Sequence, residues 1–259
     1  MYPQSYRPGR NIVLPFLFKM YPPSFFSIYP LSEQSLVIDF GSGTDLFTHQ
    51  QVLAAYDHLR HQPIPGALEW VPAYSSLVLH YDLFSLLTNH PGEDPFVLLQ
   101  SHLESLLRKG IPQEERTSLL HQIPVCYDPS LAADLENLAG EKGLSVEKLI
   151  EEHTRPEYRV CFLGFLPGFA YMAEVEPILA MPRKAQPAER VPAGSVGIAG
   201  RQTGIYPLAS PGGWHIIGRT PVTLFDSENE KTVLFQPGDR VRFYSIDKNE
   251  FERHQSRTA

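Results

Sequence analysis

Half of the glycines in this chain fall in one stretch. Residues 158–222, YRVCFLGFLPGFAYMAEVEPILAMPRKAQPAERVPAGSVGIAGRQTGIYPLASPGGWHIIGRTPV, hold nine of the eighteen, although they make up about a quarter of the length. Glycine loses the most backbone entropy on folding, so such a cluster is tolerated where φ must be positive or where another group must come close. Leu166-Pro167-Gly168-Phe169 and Ser210-Pro211-Gly212-Gly213 place proline second and glycine third, the pattern of a type II turn. Both are expected to be tight turns. Among them stand Arg183, Lys184, Arg190, Arg201, Gln202, Tyr206, Trp214, His215, Arg219 and Thr220, donors and rings expected on loops that a β-framework holds in place.

The chain has 259 residues and a formal charge of −7, enough for two domains and too acidic overall for a general nucleic-acid binder. Cys126 and Cys161 sit in apolar runs without metal-ligand or disulfide spacing, so both are expected to be buried thiols in a reducing, cytoplasmic compartment. The apolar run at residues 12–18 is short, contains Pro15 and lacks a cleavage site, which argues against secretion. Residues 1–25 are expected to be a disordered extension, with translation from Met20. No run is long enough to span a membrane.

Residues 35–40 alternate as a strand, and a helix capped by Thr44 or Asp45 runs towards Pro63. Strands at 67–71 and 75–81 follow, then a helix opened by Pro95 with Phe96, Leu99, Leu103, Leu106 and Leu107 as its apolar stripe and Gly110 as its stop. The order strand, helix, strand, strand, helix predicts a ferredoxin-like α+β domain over residues 26–120. A strand at 123–127 and helices at 131–139 and 146–152, the second capped by Ser145, open a second domain over 121–247. His153 lies on the apolar face of the second helix, where a packed core histidine is the commoner outcome, and it is retained as a secondary catalytic candidate. Strands are then expected at 159–163, 195–199, 215–217, 223–226, 232–235 and 240–246, with a turn at Gln236-Pro237-Gly238-Asp239 and a tail at 248–259. Short strands with such punctuation predict a β-barrel.

There is no P-loop, no GxGxxG after a strand and no histidine spacing for a metal. Gly194-Ser195-Val196-Gly197 is read as a barrel turn ahead of an anion cradle, and AGSVG, one residue from a nucleophile elbow, lacks the helix that follows one. Arg183-Lys184 and Arg219-Thr220 are stronger candidates, because arginine forks beside Pro/Gly turns are held in position for carboxylate or phosphate.

VPAGSVGIAGRQTGIYPLASPGGWHIIGRTP, with LGFLPGFAYM before it and LFQPGDRVRF after it, closely resembles the 5-oxoprolinase B-subunit family, also known as allophanate hydrolase subunit 1 and as the sporulation-kinase inhibitor of bacilli. PLSEQSLVIDFG, IPVCYD and SVEKLIEEHT match in place, so the likeness runs from about Ser27 to Ile246. It implies a small N-terminal α+β domain and a cyclophilin-like β-barrel domain. It also implies a direct heteromer with the C subunit of 5-oxoprolinase. With the A subunit included, it implies ATP-dependent opening of 5-oxoproline to glutamate, with ATP and Mg acting at the level of the complex and none assigned to this chain. Arg183, Gln202, Arg219, Thr220 and His153 match as catalytic candidates. Tyr206, Trp214, Gly212, Gly213, Thr203 and Tyr171 are candidates for contact with substrate or partner. In this scheme Arg183 and Arg219 hold a carboxylate or phosphate, Gln202 and Thr220 orient the substrate, and the aromatic rings wall the pocket. Ala132, Ala170, Ala173, Glu174 and Ala188 depart from the family pattern, the last where arginine is frequent. Two alternatives remain. One is a regulator that inhibits a sensor histidine kinase. The other is an allophanate or urea-carboxylase-linked amide hydrolase component, which is weaker because the chain has no amidase serine–serine–lysine pattern and no biotinyl segment.

Overall fold

A computed structural model describes residues 26–42, 46–111, 118–228 and 232–255. The expected extension and the Thr44/Asp45 cap lie outside the described residues. The described residues form two compact units, one over residues 26–111 and the other over residues 118–255.

The first unit holds β1 (Ser27–Ser32), β2 (Ser35–Asp39), α1 (Leu46–Leu59), β3 (Ala67–Pro72), β4 (Ser76–Tyr81), α2 (Leu83–Asn89) and α3 (Pro95–Arg108). Its sheet runs β1-β2-β4-β3 with every pair antiparallel. β4 thus lies between β2 and β3, the split β-α-β arrangement that the element order predicted. The fourth strand differs in origin, since β1 reaches the free edge of β2 through a hairpin instead of following the last helix. The sequence reading missed β1 because it is exposed except at Ile28 and carries Pro30, which an edge strand tolerates. α3 begins where Asp94 accepts hydrogen bonds from the Phe96 and Val97 N–H groups, and it buries Leu99, Leu103 and Leu107 against the sheet.

The second unit is built on β5 (Leu120–Cys126), β6 (Tyr158–Leu163), β7 (Ala170–Ala173), β9 (Ser195–Ala199), β10 (Gln202–Ile205), β12 (His215–Arg219) and β13 (Arg240–Ile246). These strands close a barrel in the order β10-β7-β6-β13-β5-β12-β9, and β9 pairs with β10 to complete the ring. β8 (Ala188–Val191) and β11 (Ser210–Gly212) pair only with each other. α4 (Leu135–Lys142), α5 (Val146–Thr154) and α6 (Lys248–Gln255) complete the unit, so the expected tail is largely helical and buries Phe251. The two cysteines are free and buried. Among the described residues no helix is long and apolar enough to cross a membrane.

Three expectations are corrected. Residues 223–226 and 232–235 form no strands and share a single bridge, Phe225 to Val233, although Leu224, Leu234 and Phe235 reach the core. Burial was read correctly there, but no ladder accompanies it. The Ser210–Gly213 turn is absent, because Ser210–Gly212 is β11. Gly212 is required there for space, since a Cβ would fall 2.4 Å from the Tyr206 hydroxyl. α4 begins at Leu135 and not at 131, because Asp128 and Ser130 build a turn first. The turns at Gly168 and Gly238 form as expected, both at positive φ.

His153 is fully buried inside the barrel and is stacked on Phe243 at 4.7 Å. Thr203 Oγ1 donates to the Gly197 carbonyl (3.1 Å), so its oxygen accepts from His153 Nε2–H (3.0 Å). The ring's Nδ1 then accepts from the Tyr127 hydroxyl at 2.8 Å. Every polar atom in this chain of bonds has a partner, and burial pulls the imidazole pKa down to about 3. The unfolded chain takes up a proton below about 6.5, whereas the folded one does not until about 3. The stability is therefore present in full above the unfolded value and is lost as pH falls towards the folded one. Between about pH 7.5 and about pH 5, urea unfolding of the native chain should lose about 2 kcal/mol more than that of His153→Gln. Equal losses would show that His153 titrates freely.

Candidate functional site

The outer face of the barrel over β7 and β10 carries an aromatic cluster. Along β10, Thr203 and Ile205 point inward, which leaves Gln202 and Gly204 facing out. Gly204 is what admits the cluster: a Cβ there would lie 3.1 Å from the Trp214 ring and 3.3 Å from Phe169. Phe169 then stands edge-on to Trp214 at 5.4 Å and to Tyr206 at 5.2 Å, and Tyr171 lies between Phe169 (4.7 Å) and Phe162 (4.2 Å). Val191 of β8 covers one side of the cluster. Phe165 remains 60% exposed, packs 5.6 Å from Phe169 and holds a φ of 70°, a conformation non-glycine residues rarely adopt.

Arg183 rises beside this face. The residues around it are tied down: Met181 and Gly200 exchange backbone hydrogen bonds, His215 Nε2 donates to the Pro182 carbonyl (2.9 Å), and Lys184 N–H bonds the Gly213 carbonyl (2.8 Å). Arg183 itself is exposed and forms no ion pair among the described residues. Burial pushes the Tyr171 and Tyr206 phenols up, and the Arg183 charge partly opposes this at both. An unpaired guanidinium carried on a tied-down backbone segment next to aromatic rings can donate to an anionic or carbonyl oxygen. Gln202, half-buried on β10, adds an amide with no hydrogen bond among the described residues.

Arg219 lies elsewhere. It lines a cleft of about 160 Å³ together with Ser130, Asp134, Lys184, Arg190 and Ser195, while Arg183 does not. Its Nε donates to the Ala193 carbonyl (2.7 Å) and its guanidinium sits 5.9 Å from the Phe251 ring. Burial lowers its pKa. The two arginines that the sequence reading joined therefore do not line the same cleft, although Lys184, next to Arg183, does.

The remaining candidates serve the framework. Thr203 and His153 are spent in the barrel interior. Thr220 is buried, gives its N–H to the Gly194 carbonyl and accepts from Val222 N–H (3.2 Å). Gly212 makes room for Tyr206, and Gly213 supplies its carbonyl to Lys184. The Gly194 and Ser195 N–H groups bond the Tyr206 and Pro192 carbonyls, so this segment is a turn and not an anion cradle. The sequence reading missed Asp134, whose carboxylate joins Lys184 to β12; only its place just before α4 marked it. No group of three or more His, Cys, Asp and Glu is placed to hold a metal among the described residues.

Replacing Gly212 by alanine should force the Tyr206 ring out of place and cost about 1–3 kcal/mol, the range for overpacking a core. A lower urea midpoint, with a changed near-ultraviolet aromatic signal, is the expected result.

Residues 26–235 match the model of the carboxyltransferase domain, subdomain C and D. The chain is 36% identical over 232 residues to the B subunit of 5-oxoprolinase from Bacillus subtilis, covering 89% of this chain and 97% of that protein. It is 45% identical over 217 residues to the Haemophilus influenzae protein of the same name, covering 84% and 96%. The crystal structure of TTHA0988 superimposes with a TM-score of 0.71 at 42% identity over 83% of this chain, which spans 40% of that longer chain. The Kluyveromyces lactis urea amidolyase structure shares the fold at a TM-score of 0.69 and 18% identity, over 91% of this chain and 16% of that one. With the closed barrel, its aromatic outer face and the Gly/Pro motifs that shape both, these matches place the chain in the 5-oxoprolinase B-subunit family.

Proposed function

We propose that this chain is one component of an ATP-dependent 5-oxoprolinase, which opens 5-oxoproline to L-glutamate. It works with a directly bound C subunit, in a heteromer that the A subunit completes. The observation that carries this reading is the likeness to relatives named as the B subunit of 5-oxoprolinase over 94–97% of their length. A lactam is a resonance-stabilised amide, and its carbonyl must be activated before water can open the ring; ATP with Mg supplies that activation in the complex. This chain's contribution is positional. Arg183 meets a negatively charged oxygen, Gln202 hydrogen-bonds beside it, and the Tyr171, Tyr206 and Trp214 rings exclude water from one side. Phe165, at the edge of the same cluster, extends the face towards substrate or partner.

Glutamate release from 5-oxoproline with ATP is the test, using this chain alone, the A and C subunits without it, and all three mixed. Activity is expected only in the full mixture. A stable ternary complex without activity would overturn the proposal. In an active mixture, Arg183→Gln should lower kcat/KM about tenfold or more, the cost of losing a charged hydrogen bond. An unchanged value would remove Arg183 from the site.

A further inference from the structure

The cleft lined by Arg219 borders the aromatic cluster, sharing Ala188, Val191 and Ile216 with it, and has chemistry of its own. Four charged side chains line it: Lys184, Arg190, Arg219 and Asp134. Asp134 is already engaged. Both of its oxygens accept from Lys184 Nζ at 2.8 Å, and Oδ2 also accepts from the Ile216 N–H at 2.7 Å. That pair cancels, and Arg190 and Arg219 are left without a carboxylate among the described residues. Two arginines without a carboxylate partner line one concavity, in a chain whose net charge is −7.

The geometry at Arg219 is that of a presented fork. Its Nε is fixed by the Ala193 carbonyl and its plane is steadied by the Phe251 ring on α6. The two terminal nitrogens make no hydrogen bond among the described residues, and together they match two oxygens of one anion. Ser195 is the second element. It sits directly opposite Arg219 across the β9–β12 ladder, so the two Cβ atoms are neighbours on one face. Ser195 is only 1% exposed and lines the cleft, which places a small hydroxyl side chain beside Arg219. The near-elbow AGSVG sequence thus supplies a hydrogen-bond donor beside an arginine, without the helix that would make its serine a nucleophile.

We propose that this cleft binds a small carboxylate or phosphate anion, chelated by the terminal nitrogens of Arg219, held at the rim by Arg190 and hydrogen-bonded by Ser195. About 160 Å³ admits a compact ion or the head of a small acid and excludes a folded partner. The inference concerns this chain alone and does not rest on the oxoprolinase reading.

Calorimetric titration of the full chain at low ionic strength tests it, with 5-oxoproline and acetate as carboxylates, inorganic phosphate as the other source, and 2-pyrrolidinone as an uncharged relative of 5-oxoproline. Saturable binding of at least one anion, with none of 2-pyrrolidinone, is expected. Arg219→Gln and Arg190→Gln should each weaken it about tenfold or more, and Ser195→Ala several-fold. Arg190 is exposed, so its variant remains informative if Arg219→Gln fails to fold. Preference for carboxylate or for phosphate identifies the source. Absence of saturable anion binding overturns the proposal, as does equal binding by the native chain and the Arg190→Gln variant. The readout is binding by the isolated chain, so a failed reconstitution of activity leaves it intact.

Discussion

One carboxylate ties three separate segments of the barrel unit together. Asp134 stands at the start of α4, accepts the Ile216 N–H of β12 and both holds and neutralises Lys184, while its own N–H bonds the Ile216 carbonyl at 2.8 Å. Helix, barrel wall and the 181–184 segment are therefore joined at one residue. Arg183 takes its place on the aromatic face because its neighbour is fixed there, and the cleft keeps its positive character because Asp134 is already spent on Lys184. An aspartate before a helix ordinarily caps it, yet this one makes no side-chain cap bond. Its capping capacity is spent on tertiary structure. Loss of such a partly buried carboxylate would leave both a peptide N–H and an ammonium group unsatisfied, which is why this interaction outweighs the exposed ion pairs elsewhere.

Much of the fold was legible in local pattern. β13 alternates over residues 240–246 as expected, α5 starts where Ser145 caps it, and the glycines at 168 and 238 mark real turns because proline and glycine there specify a backbone conformation that depends on nothing distant. His153 was legible from its helical face alone, and the structure places it in the core. Long-range features were not legible. Gly212 looks like a turn glycine, but what it needs is space beside Tyr206, and no local pattern contains Tyr206. Residues 223–226 and 232–235 bury apolar side chains without a ladder, and an apolar run cannot by itself distinguish the two cases.

For the candidate site, the motifs grouped residues that the structure places in different surroundings. Arg183 and Arg219 both sit beside Pro/Gly turns, which suggested one anion pocket. In the closed barrel only Arg219 of the two lines the cleft: β12 runs from His215, beside the Arg183 segment, to Arg219, across from Ser195. Thr203 and Thr220 illustrate the same limit. Their hydroxyls resemble substrate ligands in sequence and are consumed by His153, Gly197 and Val222 in the structure. Asp134, Ser195 and the role of Phe251 emerged only once strands far apart in sequence were side by side.

The placement of β13 also governs how the barrel is assembled. β13 lies between β5 and β6, parallel to the first and antiparallel to the second, although it is the last strand of the barrel to be synthesised. Until it arrives, both of those strands present unpaired edges, the kind of surface that recruits other chains. Loop closure over so long a span is slow compared with forming the neighbouring hairpins. Synthesis of this unit thus carries an interval, ended only by residues 240–246, in which an almost complete barrel wall is open along one seam.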